Sequence, residues 1–157
     1  MSTSEYKNSI RKGPEELHQE TIDCLSDLYF MVDENEFFSD LIKEHTLELL
    51  SGKMYEESKK VIDELLIEKE KLHLFLHEVE EHRNHLQILN STKDISENNT
   101  YKNKHAELML QAVAFKAGFK NLKKEIFNLI KKSMNASRQK RLLQKNASLK
   151  NQLKNLG

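Results

Sequence analysis

Between His105 and Leu129 the chain places His105, Leu108, Ala112, Phe115, Phe119, Leu122, Ile126 and Leu129 at alternating steps of three and four residues. That spacing returns to one face of an α-helix every seven residues and marks a coiled-coil seam. A helix with one narrow apolar stripe is marginal alone in water, so this stripe must be buried against others. Little interrupts the rest of the chain: one proline, Pro14, and four glycines, Gly13, Gly52, Gly118 and Gly157, in 157 residues. Charged residues make up 32% and aromatics 7%, a balance shared by long helices and disordered chains. The periodicity decides for helix. Gly118 lies inside the third helix at a cost of roughly 1 kcal/mol relative to Ala.

Two further helices are expected. The second runs from near Met54 to near Asn90, with Leu65, Leu72, Val79 and Leu86 in one row and Val61, Glu68, Phe75, His82 and Leu89 in the next. Ile62 and Leu76 widen that stripe. The first begins at Pro14, where a missing N–H costs nothing and Glu15 and Glu16 favour the positive end of the dipole. Its rows fall in two phases, Ile22, Leu25, Tyr29, Val32 and then Phe38, Leu41, His45 and Leu49 or Glu48. The spacing predicts one helix over 14–50 with a phase slip between them, ending at Ser51-Gly52. Asp33 with Glu36 as a capping box is the signal for a break there instead. The polar stretch "NSTKDISENNT" reads as a loop.

The fold class is therefore all-α, an elongated antiparallel three-helix bundle or coiled coil, with a four-helix bundle broken near Asp33 as the alternative. The expected division is a flexible N-terminus over 1–13, the bundle over 14–131, and a basic helical tail over 132–157. Phe37, Ile67 and Leu74 fall outside the stripes and point to self-association. "DLYFMVDENEFFSDLI", an acidic second helix and "HAELMLQAVAFKAGFKNLKKEIFNLI" together resemble small uncharacterised bacterial coiled-coil proteins of three long helices, over residues 15–131. The resemblance implies the fold and carries no established activity.

The formal net charge of zero conceals a division. Residues 1–100 hold 11 Lys/Arg against 23 Asp/Glu, and residues 101–157 hold 14 against 2. Lys116, Lys120, Lys123 and Lys124 are expected to pair with the acidic first and second helices. A single cysteine, Cys24, and an N-terminal stretch without an apolar run lead to the expectation of a cytoplasmic protein without a secretory leader.

Four of the seven histidines crowd into "EKLHLFLHEVEEHRNH", residues 70–85. With the core stripe centred near Leu72, His73, His77, Glu70 and Glu81 share the outer face and His82 lies on the stripe. His73, His77 and Glu81 are the candidate metal ligands, since imidazoles one turn apart plus a carboxylate suit zinc, copper or nickel. Functional sites in bundles project inward, however, so the reading is a solvated face and no bound cofactor. Glu15 with His18 and Glu70 with His73 repeat the Glu-x-x-His spacing of di-iron bundles, but His73 faces outward. His45, His82 and His105 are expected as core or boundary histidines with hydrogen-bond partners. No strained serine elbow or glycine-rich phosphate loop is present, and Cys24 reads as a packed small residue, so no enzyme is expected.

From Lys131 onward there are eight Lys/Arg and no acid, with leucines at 142, 149, 153 and 156. Lys131, Lys132, Arg138, Lys140, Arg141 and Lys145 are the candidate partner-binding residues. The expected function is a coiled-coil scaffold or adaptor acting through helix faces and this tail, on a protein partner or on itself. Nucleic-acid binding through the tail comes second, weakened by the lack of aromatics for base stacking. A metal-binding bundle comes third. A membrane surface is disfavoured because the tail's apolar face has no Trp or Phe, and no small-molecule substrate is expected.

Overall fold

The computed structural model describes residues 13–92 and 99–156, which are helical almost throughout and contain no strand. Helix α1 spans Pro14–Glu44, a single turn α2 spans Thr46–Leu49, a 3₁₀ turn covers Gly52–Met54, α3 spans Tyr55–Thr92 and α4 spans Asn99–Asn155. The loop expected over 90–100 lies partly outside the described residues; Asn90–Thr92 and Asn99–Thr100 are helical. No helix among the described residues is long and apolar enough to cross a membrane.

The start of α1 follows its sequence signals: Gly13 is extended, Pro14 opens the first turn, and the Leu17 N–H donates to the Gly13 carbonyl at 3.1 Å. The helix passes through Asp33 unbroken, so the capping-box alternative is not used. It stops at Glu44 rather than Leu50. There the His45 N–H turns back to the Ile42 carbonyl at 3.1 Å, and the Thr46 hydroxyl donates to the Ile42 and Lys43 carbonyls at 3.1 and 2.9 Å. Those bonds satisfy carbonyls that a helix end leaves open. Gly52, at φ 59°, then reverses the chain in a conformation that a side chain disfavours.

The phase slip expected in α1 is absent. Its buried row is Leu17, Thr21, Cys24, Leu28, Met31, Asn35, Phe38 and Ile42, continuing through half-buried His45 to Leu49. The steps alternate four and three throughout. Apolar residues alone misled the reading, because Thr21, Cys24 and Asn35 fill seam positions while Ile22 and Tyr29 lie one residue off and stay exposed. The rows of α3 and α4 match expectation, and Ser58 and Ser133 add a buried position to each.

Three long helices thus turn heptad rows toward one another. Asp27–Lys116, Glu34–Lys123 and Glu48–Ser137 each join α1 or α2 to α4 at a constant separation of 89 residues, so these helices run parallel. Glu57–Lys132, Phe75–Phe115 and His82–His105 show α3 running the opposite way. The core between them holds Leu28, Leu72, Val79, Leu108, Ile126 and Leu129, each fully buried and contributing roughly 1.5–3 kcal/mol. Packing passes the expected boundary at 131: Lys132 reaches Glu57 at 2.8 Å, Ser133 is buried, and the Ser137 hydroxyl donates to Glu48 at 3.0 Å. From Arg138 to Leu156 every residue is exposed, and this part of α4 extends past the bundle as an arm.

Candidate functional site

Two features stand out from the packed seam: a buried histidine layer and the surface at the base of the arm. The first lies where the rows of α1, α3 and α4 meet at Thr21, His82 and His105, each 1% exposed or less. His105 Nε2 is 2.8 Å from Glu20 Oε2, and His105 Nδ1 is 3.0 Å from His82 Nε2. A carboxylate can only accept, so His105 donates from Nε2 to Glu20, and a single proton is shared along the contact between His105 Nδ1 and His82 Nε2. Thr21 Oγ1 donates to the Leu17 carbonyl at 2.8 Å and lies 3.4 Å from His105 Nδ1. The His82 ring stacks on Tyr101 at 5.7 Å between centroids.

His82 Nδ1 is buried without a partner. Burial, and then the charges of His105, Lys104 and His85, lower the His82 pKa from 6.5 to about 4. His82 is therefore neutral at pH 7. It faces inward, as its place on the α3 stripe requires. Glu20 and Thr21 were not foreseen as partners, because the register that brings residue 20 to residue 105 spans 85 positions of chain.

The outward candidates stay outward. His73 is exposed, and His77 meets Glu81 at 3.3 Å on the solvent side. Glu15 and Glu70 are exposed, and His18 is half-buried with its Nδ1 unpartnered. Among the described residues no group of three His, Cys, Asp or Glu is arranged to hold a metal ion. Cys24 is buried, and burial raises its pKa, which keeps the thiol protonated and unreactive.

The second feature begins on the α1–α4 side. Phe30, Phe37 and Phe127 are 64%, 59% and 56% exposed, unusually open for aromatic rings on neighbouring helices. With Phe38 they floor a groove of about 530 Å³, bordered by Asp33 and Glu34 on α1 and by Lys120, Lys123 and Lys124 on α4. Phe38 anchors the cluster edge-on, 5.5 Å from Phe37 and 5.3 Å from Phe127. A second groove of about 480 Å³ follows at the base of the arm, where Glu44 and Glu48 oppose Arg138, Arg141 and Lys145 beside Met134 and Leu142.

Of the tail cations, Lys132 is taken up by Glu57, while Lys131, Arg138, Lys140, Arg141 and Lys145 are exposed. The helical period placed Phe37 outside the stripe but not its union with Phe30 and Phe127, which needs the parallel register of α1 and α4. Comparison with family models, with curated proteins and with solved structures finds no match to this chain. The likeness to small bacterial coiled-coil proteins thus stands on the heptad sequence alone.

Proposed function

We propose that the chain is a non-enzymatic helical scaffold or adaptor of the cytoplasm that works through helix-face contacts, with the arm as its contact surface. The observation that carries this reading is the arm: a helix from Arg138 to Asn155 whose leucines and six basic residues are all exposed, with no acid among them. A free helix of this length gains little from propensity alone and is stabilised mainly by what it packs on. The one cysteine, Cys24, is a buried free thiol, consistent with a packing role rather than a nucleophilic one.

The test is co-purification from native lysate of the full chain beside residues 1–137, which keep every tertiary bond described above. A defined partner retained by the full chain and lost from 1–137 is the expected result. Equal recovery by both removes the arm from the proposal. Nucleic-acid binding is the second reading, favoured by the uniform positive charge of the arm. It is distinguished by capture that nuclease abolishes and that falls steeply with salt.

A further inference from the structure

Resting on the reading of the arm as contact surface, we propose that its partner is a second copy of this chain: each arm lies in the Phe30–Phe37–Phe127 groove of the other molecule, forming a two-fold dimer with an exchanged fourth helix.

Length, apolar spacing and the charge of the α1 wall fit a single register. The arm from Arg138 to Leu156 and the stretch from Phe30 to Glu48 each span about 27 Å at 1.5 Å per residue. The stretch from Phe30 to Glu48 carries six acids and one lysine, against six basic residues and no acid in the arm. If two α4 helices cross antiparallel about Arg138, Leu142 comes level with Met134 of the second copy and Leu149 level with Phe127. The separation of 89 residues between α1 and α4 then brings Leu149 beside Phe37 and Leu156 beside Phe30. In that same register Lys154 meets the level of Asp33, Lys150 that of Glu36 and Lys145 that of Asp40, each within two residues, while Arg138 and Arg141 face Glu44 and Glu48 of their own copy.

A two-fold axis makes this contact twice, so the surface is self-complementary and the assembly closes. Two arms pairing directly with each other would instead oppose six charges to six of the same sign. The groove between α1 and α4 supplies what the arm lacks, an aromatic floor and an acidic wall on α1, opposite the lysines of α4.

The experiment is light scattering on the eluting peak, with helicity checked by circular dichroism, for the full chain, residues 1–137, Phe37→Glu, and a mixture of the last two. The full chain is expected at twice the 18.5 kDa of one protomer, with each altered chain monomeric and fully helical. The truncated chain keeps the groove and the Phe37→Glu chain keeps the arm, so their mixture is expected to form a one-to-one complex across one half of the exchange. A monomeric full chain overturns the proposal, and so does a dimer that survives Phe37→Glu or arm removal. A mixture with no complex overturns the arm–groove pairing even where the full chain dimerises. These purified-protein outcomes are separate from lysate capture: a monomeric chain whose arm still retains another protein or a nucleic acid sinks only the second-copy assignment.

Discussion

The histidine layer makes stability depend on pH through one identifiable group. His82 has a pKa of about 4 in the folded chain against 6.5 unfolded, lowered first by burial and then by the charges of His105, Lys104 and His85. A depressed folded pKa means that the unfolded chain binds the proton first, so the stabilisation is complete above pH 6.5 and is lost as pH falls toward about 4. A tenfold difference in proton affinity between the two states is worth about 1.4 kcal/mol. By about pH 5 the unfolded chain has gained roughly 2 kcal/mol from protonating this residue while the folded one has gained almost nothing. Below that point carboxylates in general also begin to titrate. The assay is urea unfolding followed by circular dichroism at one protein concentration, for the wild-type chain and His82→Leu, between about pH 7.5 and 5. The wild type is expected to lose about 2 kcal/mol more than His82→Leu across that range. Parallel curves within about 0.5 kcal/mol of each other would refute the reasoning, since they would mean that His82 charges in the folded layer at no cost.

Two substitutions probe other seam and surface positions. Asn35 is buried with both amide atoms unpartnered, so Asn35→Leu is expected to stabilise the chain by roughly 1–3 kcal/mol through loss of the desolvated amide. Thermal melting measures this, and a lower melting temperature would show that Asn35 is paired or that the seam has no room for leucine. A Cβ at Gly118 would meet nothing within 4 Å, so Gly118→Ala is expected to add about 1 kcal/mol of helix propensity, raising Tm by about 2–4 °C. Destabilisation by that change would mean that the outer face at 118 is covered.

What could be read in advance was whatever the apolar period alone determines. The α4 seam is an unbroken apolar row apart from its first residue, His105, and every position assigned to it is buried or half-buried. The α3 rows held through two polar members, Glu68 and His82, because the flanking leucines fix the phase. In α1 the polar Thr21 and Asn35 and the small Cys24 fill seam positions, and larger residues at Ile22 and Tyr29 lie one position off the row. A seam is a geometric property, and hydrophobicity marks it only where burial is not compensated locally; Thr21 is so compensated, donating to Leu17 one turn back. The inward turn of His82 was legible for the same reason as its helix. Its partners Glu20 and His105 were not, because a period read within one helix contains no information on how three helices slide past one another.

The charge division supplies part of that missing register. Asp27 and Glu34 meet Lys116 and Lys123 at the same offset, and Glu48 continues the line to Ser137. Individually such pairs contribute only about 0–1 kcal/mol. Their common spacing nonetheless favours one alignment, since a slide by half a heptad would separate every pair at once. Lys120 and Lys124, expected in the same ladder, instead border the phenylalanine groove. Beyond Ser137 the helices carrying acid have ended and α4 continues with six cations, leaving −6 on residues 1–137. Zero net charge for the whole chain is therefore not neutrality within the bundle. The excess acid includes Asp33, Glu36 and Asp40 on α1, and a continuous α4 carries the arm of the same copy away from them. Neutralising that face with this chain's own arm requires another copy, which is why the mixture of arm-less and groove-blocked chains is the decisive arrangement.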